Sequence, residues 1–239
     1  MAYANRPVSI IGPQYCSPHS VELAVFKKVK SITNGDFVVT NINGNILFKV
    51  IGPGFFSMHD RQVLTDAAGN PIVSLRPKIM SAHDRWEVFR AGSNGLICTV
   101  KRPSIFSFKF KVDVFLANNT RQDVCDFKIK GDWSDKSCVV YAGEPSTIVA
   151  QMHNNHTVQS AFLGKDKFMV TVKPNIDYAF IAALFVILDK INSGSGGGAD
   201  ADEEGGGDGG DGGDGEAEAM GAAGAEAMGA AAGAEDSRV

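Results

Sequence analysis

Residues 174–191 read PNIDYAFIAALFVILDKI, and the eleven positions from Tyr178 to Leu188 hold no charge and no strongly polar side chain. The flanks specify a helix over about 175–191. Asn175 is placed as the N-cap, Asp177 falls in the first turn, where a negative charge suits the helix dipole, and Lys190 falls in the last. Ala179, Ala182 and Ala183 make a small side, and Phe180, Ile181, Leu184, Ile187 and Leu188 a bulky one. A helix with no polar face lies either deep inside a protein or inside lipid. Its apolar stretch covers roughly 16 Å at about 1.5 Å per residue, about half of a bilayer's hydrocarbon core, and charge follows at both ends. A transmembrane span is therefore not expected, and burial is.

What surrounds the helix is read from residues 20–173, where period-two alternation is punctuated by Asn, Asp and Gly, the mark of short antiparallel strands. FVVTNI and ILFKVIG form a hairpin around Asn43 to Asn45; QVLTD and PIVSLR form a second, with Gly69 and Asn70 suited to left-handed turn conformations; RWEVFR and LICTVKR form a third. In SIFSFKFKVDVFL, alternation puts Phe106, Phe108, Phe110, Val112 and Val114 on one face and Ser107, Lys109, Lys111 and Asp113 on the other. CDFKIKGDW, SCVVYAG, STIVAQMH, HTVQSAFLG and KFMVTVK continue the pattern. Strands followed by one wholly apolar helix imply a closed β-barrel wrapped around that helix.

Charge divides the chain. The net charge is −4, but the stretch from Ser193 onward holds twelve acidic residues and one base, −11, so the rest carries +7. That Gly- and Ala-rich tail has almost no large apolar side chain with which to offset its ordering entropy, and 193–239 is expected to be disordered. Residues 1–17 are an N-terminal arm and 18–192 the folded domain. The N-terminus lacks the basic cluster and long apolar run of a secretory signal, so an intracellular, cytoplasmic location is expected. Cys16, Cys98, Cys125 and Cys138 are scattered without CxxC spacing, which in a reducing compartment points to buried small hydrophobes.

Candidate chemistry is sparse. His59-Asp60-Arg61 recurs as His83-Asp84-Arg85, but no nucleophile elbow accompanies either pair, and the triplets read as polar ties at bends. His153 and His156 form an HxxH on a turn without a third ligand. Asp200, Asp202, Glu204, Gly205, Asp208 and Asp211 match EF-hand loop positions, yet Gly207 replaces the apolar anchor and no amphipathic helices flank the loop. The lysines of SFKFK point away from its aromatics, whereas a nucleic-acid stacking platform needs both on one face. No glycine-rich phosphate loop, no paired carboxylates in a persuasive setting and no redox pair is found. No cofactor, metal or catalytic residue is assigned; a non-enzymatic binding or regulatory module is.

DRQVLTDAAGNPIVSLRPK, HDRWEVFR, DVFLANN, CDFKIKGDW, SCVVYAG, IVAQMHNNHTVQS and LGKDKFMVTVKPNIDYAFIAALFVILDKIN, in this order, resemble the plant LURP-one-related family over roughly residues 8 to 192. That domain is similar to Tubby C-terminal domains and phospholipid scramblases. The resemblance implies a twelve-stranded β-barrel enclosing a hydrophobic C-terminal helix. It further implies a regulator, some members being linked to pathogen defence, and by superfamily analogy a membrane-tethered regulator of transcription holding phosphoinositide headgroups, with plasma-membrane or nuclear association. Scramblase-like lipid handling is the alternative, but the acidic calcium loop and Cys-rich lipidated segment of that family are missing from the barrel. A protein-interaction scaffold is another. Tubby's headgroup-binding motif has no matching stretch here, so the candidate headgroup ligands come from charge alone: Lys27, Lys28, Lys30, Lys101, Arg102, Lys109, Lys111, Lys128 and Lys130. Within the strands, Lys109 and Lys111 share a face, as do Lys128 and Lys130, so their fields add. Expected partners are anionic phospholipid headgroups or regulatory proteins, and the −11 tail is expected to compete for the basic face at low salt.

Overall fold

A computed structural model describes residues 7–27, 37–52, 61–78, 85–103, 110–143, 147–153 and 167–194. The chain divides into two units, Met1–Ala199 and Asp200–Val239, of which the second lies wholly outside the described residues, as does the calcium-loop-like stretch. The His59-Asp60 and His83-Asp84 pairs, His156 and the HTVQSAFLG segment also lie outside them.

Among the described residues twelve strands run in chain order: β1 Val21–Lys27, β2 Phe37–Thr40, β3 Ile46–Ile51, β4 Gln62–Asp66, β5 Pro71–Pro77, β6 Arg85–Arg90, β7 Leu96–Lys101, β8 Phe110–Leu116, β9 Phe127–Gly131, β10 Val139–Ala142, β11 Thr147–His153 and β12 Lys167–Val172. Each pairs antiparallel with the next, and β1 pairs with β12 from Val21 opposite Val172 to Phe26 opposite Lys167, which closes the barrel. Closure leaves no strand edge unpaired. A barrel of this strand number has a lumen too wide for its own side chains to fill. The helix α1, Tyr178–Gly194, fills it.

Every residue of α1 from Ala179 to Leu188 is buried, at 0–1% exposure. Its neighbours are the inward positions of the strands, including Leu23, Val73, Leu75, Val112, Val114, Ile129 and Val170. Phe180 packs on Phe127 of β9 with ring centroids 5.2 Å apart, and Phe185 on Phe168 of β12 at 5.8 Å. A helix without a polar face is thus matched by a sheet whose inner face is mainly apolar, with Gln62 buried at the start of β4, and the barrel-around-helix expectation holds. No helix of the described residues is long and apolar enough to cross a membrane.

Two local expectations are corrected. The N-cap is Asp177, not Asn175: Asp177 Oδ1 accepts the Phe180 N–H at 3.0 Å, and the helix runs on to Gly194, so Lys190 lies ahead of its last turn. Asn175 instead takes the left-handed conformation, φ +64°, that turns the chain out of β12. In the β4–β5 hairpin, Gly69 at φ +94° alone is left-handed; Asn70 is held by Asp66, whose carboxylate accepts both its backbone and its side-chain N–H at 2.8 Å. The strand that alternation did not single out is β1, where Leu23, Ala24 and Val25 are buried in succession.

Antiparallel pairing sends the connections alternately to two ends. The turns at 41–45, 66–70 and 91–95 share the end at which α1 enters. The arm crosses that mouth: Val8 bridges Ile176, Cys16 bridges Asp177, and Tyr15 stacks edge-on against Phe48 and Tyr178 at 5.8 and 5.7 Å. At the far end the Lys27 ammonium meets Asp189 of α1 at 2.9 Å.

Candidate anion-binding face

The sheet register decides which of the candidate cations meet. Along β8 and β9 the inward positions are Val112, Val114, Phe127 and Ile129, so Lys111, Asp113, Lys128 and Lys130 face outward. In the ladder Lys111 stands directly opposite Lys130, and Asp113 opposite Lys128. On its other side Asp113 stands opposite Lys101 of β7, and Lys101 in turn opposite Arg85 of β6. The Lys101 and Lys128 positions thus share one row, and Lys111 and Lys130 the adjacent one. Within this face the Lys111 ammonium is 3.4 Å from the Asp113 carboxylate, and Lys130 lies over the Tyr141 ring at 5.9 Å. Arg102, just past β7, lies over Phe110 at 5.8 Å.

Lys27 does not join them. Its parity is that of inward-facing Leu23 and Val25, and it reaches into the barrel end to Asp189, whose side chain is only 6% exposed. Lys28, Lys30 and Lys109 lie outside the described residues.

Three further cations belong to the face and were missed because they are not adjacent in sequence to the lysine pairs: Arg76, Lys78 and Arg85. Their signal was parity. Val73 and Leu75 point inward, so Arg76 and Lys78 point out; Trp86 and Val88 point inward, so Arg85 and Glu87 point out. The Lys78 N–H donates to the Arg85 carbonyl at 2.8 Å, which brings the two side chains to the same end of the hairpin. Both cations then converge on one oxygen, Glu87 Oε1, Lys78 Nζ at 3.4 Å and Arg85 Nη2 at 3.7 Å. Lys101 completes the group, its ammonium donating to Gln122 Oε1 and lying over the Phe115 ring at 5.0 Å. Burial first, then the charges of Arg85 and Lys78, hold the Lys101 pKa below the ordinary lysine value. The Nε atoms of Arg76 and Arg85 and the Oδ1 of Asp113 are buried without a hydrogen-bond partner. Arg76 is stacked on Phe89, 4.5 Å from the ring centroid.

The arrangement offers positive field and donors; the thiol beside it, Cys125 next to Asp113, is held above the ordinary thiol pKa, by burial first and then by the Asp113 charge, which disfavours its thiolate. All four cysteines are free; Cys98 and Cys138 are buried, whereas Cys16 and Cys125 are half-buried. His153 lies 3.9 Å from Glu22, and among the described residues no three metal-ligating side chains gather. A recess of about 320 Å³ between the arm and β6–β8, lined in part by Ser9, Ile10, Arg90 and Leu96, shares no residue with the cation cluster.

Comparison with known proteins agrees with this architecture. The family model described as LURP-one-related matches residues 21–189. Protein LURP-one-related 15 of Arabidopsis thaliana is 55% identical over 186 residues, covering 77% of this chain and 85% of its own length. Protein LURP1 of the same plant is 51% identical over 190 residues, covering 78% of this chain and 91% of its own length. A crystal structure of an Arabidopsis thaliana protein, 46% identical, superposes with a TM-score of 0.61 over 77% of this chain and 98% of that one. The chain belongs to the LURP-one-related family.

Proposed function

We propose that the protein is a non-enzymatic regulatory module that docks on membranes by holding phosphorylated lipid headgroups, phosphoinositides in particular, on the outer face of β5–β9. The observation that supports this reading is the register: Arg85, Lys101, Lys111, Lys128 and Lys130 occupy neighbouring cross-strand positions on one face, with Asp113 between them. Clustered cations raise local anion concentration, and their effect falls with salt over a Debye length of about 8 Å at physiological ionic strength. The filled lumen leaves an apolar interior substrate site no room, so ligands meet the outside. The family is not a known enzyme family, and its resemblance to Tubby-type membrane-tethered regulators points the same way.

The test is co-sedimentation of the full chain with vesicles of neutral phosphatidylcholine, of phosphatidylcholine with phosphatidylserine, and of phosphatidylcholine with a phosphoinositide, across a salt series. Selective phosphoinositide binding that persists at physiological salt is expected. Binding to none of them, or equal loss from every anionic vesicle as salt rises, replaces this reading with a protein-interaction scaffold.

A further inference from the structure

The cations on the outer face are not equivalent. Lys111 has its own carboxylate, Asp113, at 3.4 Å. At the ends of β5, β6 and β7, by contrast, Lys78, Arg85 and Lys101 crowd together with Glu87 as the shared counter-charge of the first two, touched at a single oxygen and at 3.4 and 3.7 Å. Tight charge-assisted bonds are about 2.7–2.9 Å long. Arg85 also keeps a buried Nε without a partner, and it is 25% exposed beside a Lys78 that is 46% exposed. Among the described residues, three positive charges face Glu87 and the cross-strand Asp113, which leaves a net positive excess at a place where solvent can enter.

We propose that Lys78, Arg85 and Lys101 form a phosphate-monoester site, with Glu87 as a built-in placeholder that an arriving phosphate displaces. This rests on the membrane-docking reading and deepens it: these three residues recognise the phosphate, and Lys111, Lys128 and Lys130 supply only attraction. A phosphate monoester carries between one and two negative charges and three acceptor oxygens, which match the excess of the cluster and give the Arg85 guanidinium a fork-shaped partner. Glu87 sets a threshold. It holds Lys78 and Arg85 in position when no ligand is present and competes with weak anions such as carboxylates and phosphodiesters, which bring one charge, more effectively than with a monoester. The chemistry is common to a phosphoinositide headgroup and to a soluble inositol phosphate.

The two sources are separated by titrating the full chain calorimetrically with soluble inositol trisphosphate and, in parallel, by co-sedimentation with phosphoinositide vesicles. Arg85→Gln and Lys101→Gln should each weaken both interactions by about tenfold or more, the loss of a charge-assisted contact. Lys128→Gln should weaken vesicle binding slightly, with phosphoinositide selectivity kept. Glu87→Gln should tighten binding of inositol trisphosphate several-fold and also raise binding to phosphatidylserine vesicles, a gain that no folding defect produces. Unchanged or weaker inositol trisphosphate binding by Glu87→Gln overturns the site, as do equal losses for Arg85→Gln and Lys128→Gln. If the unaltered protein binds phosphoinositide vesicles while Arg85→Gln and Lys101→Gln leave that binding intact, this site fails and membrane docking stands. If it binds inositol trisphosphate in an Arg85-dependent way but no vesicle, the membrane reading fails and the site stands. Binding to neither removes both.

Discussion

Asp177 uses its two oxygens in two directions. Oδ1 caps α1 through the Phe180 N–H, and Oδ2 accepts the backbone N–H groups of Ile10, Ile11 and Gly12 at 3.0, 2.7 and 3.0 Å, all with the carboxylate fully buried. One side chain therefore starts the core helix and ties the N-terminal arm across the barrel mouth. Asp177→Ala should cost about 3 kcal/mol or more, since it removes a cap and leaves three N–H groups without an acceptor. Asp177→Asn keeps a competent cap but turns an amide group toward donors, so it should free the arm: limited proteolysis should cut within residues 7–17 while the melting transition stays cooperative. An arm equally resistant in both forms contradicts the assignment. The cysteines give a pH test. Burial, and secondarily the nearby Asp132 charge, push the Cys138 thiol up to about 12, and burial raises Cys98 as well. A thiol whose folded pKa is raised stabilises the fold below its unfolded value, and this contribution is lost as pH rises toward the folded one. Thermal stability should therefore fall above about pH 9, and Cys98 and Cys138 should resist a thiol reagent at about pH 8 until the protein is unfolded. Prompt reaction of all four cysteines would contradict their burial.

At the scale of the element, α1 was legible because composition alone reports a helix with no wet side. Its interior position followed from the length of the apolar run, too short for a bilayer, together with the strands before it. The strands were legible where alternation was clean, as in FKVDVFL, and obscure in β1, where a bulky inward set is joined by buried Ala24 on the outward side. The start of α1 was misplaced by two residues because both Asn and Asp are good caps; the left-handed turn at Asn175 decides between them, and only the chain's path out of β12 reveals it. Ala183 lies at 0% exposure among the barrel's apolar side chains. Ala183→Asp places an unpaired carboxylate there, at a cost on the order of the whole stability of a domain, 5 kcal/mol or more. Circular dichroism should show loss of the folded state near neutral pH. Retained thermal stability with lost vesicle binding would instead mark α1 as an interfacial helix.

On the scale of the whole molecule, the candidate site was half legible. Pairs such as Lys128 and Lys130 can be read off one strand, whereas the grouping of Lys78, Arg85 and Lys101 exists only through the β5–β6–β7 register, between residues 23 positions apart. Lys27 shows the converse: parity turns a lysine from the surface to a buried partner on α1. The resulting account has an inside made mainly of apolar packing and an outside that carries the recognition. The measurement that tests this division most directly is amide hydrogen exchange of the full chain with and without phosphoinositide vesicles. The amides of α1 beyond its first turn should be among the slowest to exchange, opening only with global unfolding and unaffected by lipid, while amides of β6–β9 slow on binding. Contradiction would come from an α1 that exchanges by local opening in the free protein and gains protection when vesicles are added, for then the helix, and not the outer face of the barrel, would be what meets the membrane.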